Sequence, residues 1–166
     1  MTLVDLPTST DEKTPMADIL HLLQIHAPRE KVHAAIATVD GVRDWFSRDA
    51  DLDSRAGGSG EIRFAERTRV IKLEVEELEP PARIVWKVLS AAMPTWANTN
   101  VEFKLDADGA GTLLHFAQRG FLEVDDFFAM SATAWASFLF SLKQYLETGQ
   151  GMPHPDDILS RSHGAK

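Results

Sequence analysis

Residues 125–147, near the C-terminus, constrain the fold more than any other stretch. Phe128, Ala132, Trp135, Phe138, Leu139, Leu142 and Leu146 recur at three- and four-residue steps. That spacing places them on one face of a 3.6-residue period and predicts one long helix. Asp125 and Asp126 stand at its start, where a carboxylate caps free N–H groups and suits the helix dipole. Gly149 follows its end in the C-cap position, and Pro153 blocks continuation. A face this wide and aromatic needs a large apolar partner, which the rest of the chain has to supply.

Upstream, most of the pattern alternates. Over residues 19–26, Ile19, His21, Leu23 and Ile25 share one face, with Leu20, Leu22, Gln24 and His26 on the other. Pro28 suits the first turn of a helix, and Val32, Ala35, Ile36 and Val39 follow at helical spacing. Asp40-Gly41 interrupts, and residues 42–46 form a second short helical stretch carrying Trp45 and Phe46. Residues 47–53 are polar, with room for a short strand, and the glycines of residues 56–60 make a turn. Ile62 and Phe64 then mark one strand, Ile71, Leu73 and Val75 the next, and Ile84, Trp86 and Val88 a third beyond the Pro80-Pro81 bend. A loop with Met93, Pro94 and Trp96 leads to Val101, Phe103 and Leu105. Asp108-Gly109 turns the chain into a final strand with Leu114, Phe116 and Gln118 on one face. Consecutive strands with short turns predict an antiparallel sheet, covered on one side by the long helix, in the α+β class.

A chain of 166 residues suffices for one domain with a proper core. Residues 1–17 are polar and read as a flexible leader, 18–153 as the domain and 154–166 as a loose tail. The formal net charge of −8 repels phosphate backbones, and Arg63, Arg67, Arg69 and Lys72 lie among Glu61, Glu66 and Glu74 rather than in a basic patch. Nucleic acid is therefore not an expected partner. The chain has no cysteine, which excludes disulfides, thiol nucleophiles and thiolate metal sites. No apolar run approaches a membrane span, and the N-terminus has no signal-peptide pattern, so the expected location is the cytoplasm.

The order of elements comes with several motifs: Ile25-His26-Ala27-Pro28-Arg29-Glu30-Lys31-Val32, Val42-Arg43-Asp44-Trp45-Phe46, residues 77–86, Gly111-Thr112-Leu113-Leu114 and residues 135–149. Together they resemble the START-like superfamily, also called SRPBCC, Bet v-like or polyketide-cyclase-like. Within it the chain is most similar to the bacterial branch related to the C-terminal domain of the heat-shock-chaperone ATPase activator. The resemblance implies a helix-grip fold: a curved antiparallel sheet wrapped around a long C-terminal helix, two short helices after the first strand, and an apolar cavity between helix and sheet. Members of the superfamily include lipid and sterol carriers, hormone receptors, cyclases and co-chaperone domains, so the fold alone does not fix the function. The branch adds a homodimer and a chaperone partner to the expectations. Where related sequences end the last strand in Thr-His-Ser-Gly, this chain has Ala117-Gln118-Arg119-Gly120. Gln118 can orient a ligand by hydrogen bonds, but an amide cannot act as acid or base near neutral pH.

The aromatic residues carry the functional reading. Phe64, Trp86, Trp96, Phe103, Phe116, Phe128, Trp135 and Phe138, with Leu139 and Gln118, form the candidate ligand-binding set. For any one of them core packing is the ordinary role; together they suit a mostly apolar site with few polar groups. Gln118, Thr99, His21 and the Trp86 indole N–H are the orienting candidates, and Arg119 and Trp96 are placed at the mouth. No histidine pair has helical zinc spacing, and Gly57-Gly58-Ser59-Gly60-Glu61 is not a nucleophile elbow. No metal, cofactor or catalytic residue is assigned. Asp49 and Glu66 fall near the expected mouth without being paired for catalysis. The expected function is non-enzymatic binding of a small lipid-, sterol- or polyketide-like molecule. The alternatives are a cyclase- or hydrolase-like enzyme, for which only His21 and Glu66 offer interior ionisable groups, and a co-chaperone-like interaction module with a filled interior.

Overall fold

The computed structural model describes residues 17–160. The leader assigned to residues 1–17 lies outside this range except for Ala17. Along the chain come β1 (Ala17–Ile25), α1 (Arg29–Ala37), α2 (Val39–Trp45), β2 (Asp49–Leu52), β3 (Ser59–Phe64), β4 (Arg69–Glu79), β5 (Arg83–Ser90), a 3-10 turn (Pro94–Trp96), β6 (Asn100–Asp108), β7 (Gly111–Phe121) and α3 (Asp126–Thr148). The seven strands form one antiparallel sheet in the order β1-β7-β6-β5-β4-β3-β2. This is the expected helix-grip arrangement, with α3 as the gripped helix.

The alternation read from the sequence decides which strand face turns inward. On β1, Ile19 and Ile25 are buried, while Leu20 and Leu22 are exposed. On β4, Ile71, Leu73 and Val75 are buried with exposed residues between them. β5 departs from strict alternation: Ile84, Val85 and Trp86 are buried in succession, opposite a register shift between Val75 and Glu77 of β4.

α3 starts and stops where its end signals stand. The Phe128 N–H donates to the Asp125 carboxylate at 3.0 Å, and Gly149, at φ 86°, donates its N–H to the Tyr145 carbonyl. Trp135, Phe138, Leu139 and Leu142 are buried against the sheet. Ser141 ties three segments together: its hydroxyl donates to the Trp45 carbonyl at 2.8 Å and accepts the Met152 N–H at 2.7 Å.

The first part of the segment read above as a loose tail, residues 154–160, makes contacts with the end of α2 and the β3–β4 turn. The His154 N–H donates to the Phe46 carbonyl, and the Arg48 N–H to the His154 carbonyl. Asp157 is 3% exposed. The chain is docked at least to Ser160, because the end of α2 offers it backbone partners that sequence periodicity does not reveal.

His33, on α1, is buried, and its Nε2 has no partner among the described residues. Burial pushes its pKa below 6.5, opposed by a hydrogen bond to the Arg83 backbone. The folded state therefore binds this proton less readily than the unfolded chain. The His33 contribution is complete above about pH 6.5 and is lost as pH falls through the lowered folded value. Melting temperature should decline over that interval, and His33→Phe should flatten the decline; equal slopes for the two proteins would refute the assignment.

Candidate ligand cavity

Between the N-terminal half of α3 and the β3–β4 end of the sheet lies a half-open pocket of about 490 Å³. Four segments line it: residues 129–138 of α3, the β3–β4 hairpin end with Phe64 and Ile71, the loop carrying Met93 and Trp96, and the docked segment with His154, Asp157, Leu159 and Ser160. The Trp96 and Trp135 rings stack at 5.7 Å and 10°. The Trp135 N–H donates to the Gln118 side-chain oxygen at 2.7 Å, and the Trp96 N–H to the Ser131 hydroxyl at 2.8 Å. With both indole donors satisfied within the protein, the two tryptophans offer the cavity mainly apolar surface.

Of the candidate set, Phe64, Trp96, Trp135 and Phe138 line this space. Trp86, Phe103 and Phe116 do not; they pack edge-to-face in a filled core, at 5.0 Å between the first two rings and 5.4 Å between the last two. Leu139 lies in the same core, and Phe128 turns toward Phe121 at 5.1 Å. Gln118 is fully buried, donating to the Thr99 hydroxyl at 3.0 Å as well as accepting from Trp135, so its amide orients protein groups rather than a ligand. The Thr99 hydroxyl itself donates to the Trp96 carbonyl. Strand alternation tells which residues point inward. It does not tell where the helix lies flat on them and where it stands away.

The other polar candidates are also engaged or elsewhere. His21 Nε2 lies 3.0 Å from the Ala132 carbonyl. The Trp86 indole nitrogen is buried without a partner among the described residues. Arg119 is not at the mouth; it pairs with Asp18 and Glu102. Asp49 pairs with Arg67 and Arg63, which hold its carboxyl below the usual carboxylate range. Glu66 sits in the turn between β3 and β4.

That turn holds Ala65, Glu66 and Arg67 in succession at φ 49°, 54° and 68°. Left-handed non-glycine residues carry about 1–2 kcal/mol of strain each. The turn aims the Ala65 N–H at His154 Nε2, 2.9 Å away. With Nε2 accepting, the proton of the neutral ring sits on Nδ1, which lies 3.1 Å from Asp157 Oδ1 and 2.9 Å from Ser160 Oγ. A serine, histidine and aspartate therefore meet at the cavity, but not as a nucleophilic triad. Serine and carboxylate share one ring nitrogen, and the nitrogen that would act as base is occupied by backbone. The trio latches the C-terminal segment to the hairpin. Sequence reading missed it because residues 149–155 are rich in glycine and proline. It also missed Arg69, although extending the β4 alternation back from Ile71 points to it. Among the described residues, no group of three or more histidines, aspartates and glutamates could hold a metal ion. No described helix is long and apolar enough to cross a membrane.

Comparison with known proteins agrees with this architecture. The solution structure of the Aha1 dimer from Colwellia psychrerythraea superposes with a TM-score of 0.73 at 31% identity, covering 82% of this chain and all of that one. A Mesorhizobium loti protein follows at TM-score 0.70, 22% identity, and coverage of 79% and 97%. CalU16 from Micromonospora echinospora shares the fold at TM-score 0.64, 20% identity, and coverage of 80% and 77%. No curated protein matched the chain. The family model for activator of Hsp90 ATPase homolog 1-like proteins matches residues 26–147, and the chain belongs to that family.

Proposed function

We propose that the protein binds a small apolar molecule in the cavity beside Trp96 and Trp135 without transforming it. One observation carries this reading: the aromatic core is filled under the middle of α3, yet about 490 Å³ stays open beside it. That volume is within the roughly 300–1,000 Å³ typical of small-ligand sites. The one histidine–carboxylate pair among the described residues lining the cavity has its Nε2 taken by the Ala65 N–H, which supports binding over catalysis. The test is native mass spectrometry of the purified protein against its denatured mass, with a thermal-shift panel of lipids and aromatic molecules. A co-purifying molecule, or a shift from the panel, is the expected result. Ala134 lines the cavity, so Ala134→Phe should fill it and weaken the ligand response at least tenfold while the far-UV spectrum stays unchanged. Undiminished binding in that variant would move the site elsewhere.

A second reading has its own observation. Val124, Phe127 and Met130, at and before the start of α3, are 66%, 53% and 63% exposed. Such a patch suits a protein partner, either a chaperone or a second copy of this chain. The Colwellia relative is a dimer. Light scattering of the pure protein tests the homodimer directly, and Phe127→Ser should shift it toward monomer.

A further inference from the structure

We infer that the cavity's ligand is an apolar carboxylic acid, held at the mouth by Arg69; this rests on the binding reading above. Ile71, Leu73 and Val75 are the buried residues of β4. Arg69, two residues before Ile71, continues that inward face and lines the cavity while remaining exposed to solvent. A guanidinium there breaks the apolar pattern of the face. Among the described residues it has no carboxylate partner.

The nearby carboxylates are already committed. Asp49, Asp51 and Glu61 pair with Arg63, and Asp49 also with Arg67. Asp157, which lines the same cavity, is bonded to His154 and to the Ser160 N–H. Glu66, in the turn beside Arg69, forms no ion pair with it among the described residues. A second donor is available at Ser160. Its oxygen accepts from the His154 Nδ1–H, which leaves the hydroxyl proton without an acceptor among the described residues. Among the described residues, the side-chain donors left open around the cavity are thus a guanidinium fork and a hydroxyl. They match an acceptor with one negative charge, which a carboxylate presents in the fork geometry. A phosphate dianion would normally call on more cations than this one. The ligand's apolar body would lie against Trp96 and Trp135, with its charged end kept at the water boundary.

The test uses dodecanoate, dodecanol and methyl dodecanoate below their aggregation limits, read by quenching of tryptophan fluorescence and confirmed by native mass spectrometry. Wild type should bind the acid about three- to fivefold more tightly than the alcohol or ester, as expected for a charge-assisted hydrogen bond at a solvated site. Shortening the acid to decanoate should weaken binding by roughly fourfold per methylene lost. Arg69→Gln should abolish the preference for acid over alcohol while the melting temperature stays unchanged. Ser160→Ala should weaken acid binding by a smaller factor. Equal binding of acid and alcohol to wild type, or a preference that survives in Arg69→Gln, overturns the assignment of Arg69 and leaves the cavity reading intact. Binding of none of the three overturns both.

Discussion

Trp135→Ala is expected to destabilise the protein by about 3–5 kcal/mol, the usual range for deleting a buried aromatic side chain. For a domain of this size that lowers Tm by roughly 10 °C. Trp135 is 2% exposed and holds three groups of residues together. Its ring lies 4.6 Å from Phe116, 5.2 Å from Phe46 and 5.7 Å from Trp96. It therefore joins β7, the end of α2 and the cavity wall to α3. Truncation also strands the buried oxygen of Gln118, which accepts the indole N–H, and an orphaned buried acceptor adds about 1–3 kcal/mol on its own. Trp135→Phe separates these effects: it keeps most of the ring and loses the donor, so it should cost clearly less than the alanine change. Ligand binding should fall in both variants, because Trp135 is among the residues that line the cavity. Thermal and urea denaturation of the two variants checks the ordering. A Trp135→Ala protein that melts within about 2 °C of wild type would mean that α3 is not anchored here.

Gly41→Ala should lose at least about 3 kcal/mol, although the local argument has the opposite sign. Gly41 lies inside α2, and replacing a helical glycine with alanine normally gains about 1 kcal/mol. Here an added Cβ would sit 2.4 Å from the Ala35 carbonyl oxygen and 2.5 Å from the Ala35 Cα. Those are backbone atoms of α1, and no side-chain rotation relieves the clash. The two helices would have to part. The Gly41 N–H would then leave the Thr38 hydroxyl that caps α2 at 3.1 Å, and the Trp45 indole would leave the Ala35 carbonyl at 2.8 Å. Overpacking alone costs about 1–3 kcal/mol, and the buried polar groups released add to it. Gly149 is the comparison. Its φ of 86° disfavours any side chain, but a Cβ there meets nothing within 4 Å. Gly149→Ala should therefore cost only about 1–2 kcal/mol. Denaturation midpoints that rank Gly149→Ala as the more damaging change would show that α1 and α2 do not pack this closely.

These two sites mark what can be read from a sequence. α3 was legible almost to the residue, because its Asp125 cap, its Gly149 stop and its apolar stripe act within a few residues of chain. The inward faces of β1, β4 and β7 were legible for the same reason: a period of two needs no knowledge of partners. The candidate site was only partly legible. Phe64, Trp96, Trp135 and Phe138, read as candidate ligand contacts, lie around the half-open pocket beside α3. Trp86, Phe103 and Phe116 were read the same way, and they fill the core instead. Periodicity labels six of the seven as inward, all but the loop residue Trp96, and cannot rank them by what lies above. Gln118 carried the same ambiguity: an inward amide can face a ligand or another side chain, and only the position of Trp135 decides.

By itself, then, the sequence determined the elements, their apolar faces and their order, because hydrophobic periodicity, capping and turn chemistry are short-range; the helix-grip arrangement came from the family resemblance. The tertiary structure decided where α3 separates from the sheet, how closely α1 approaches α2, and that residues 151–160 fold back to close one wall of the cavity. Those outcomes depend on contacts between residues far apart in the chain, such as Ala65 with His154 and Trp135 with Gln118. A void is a property of surfaces that do not quite meet, and no local pattern encodes where that happens.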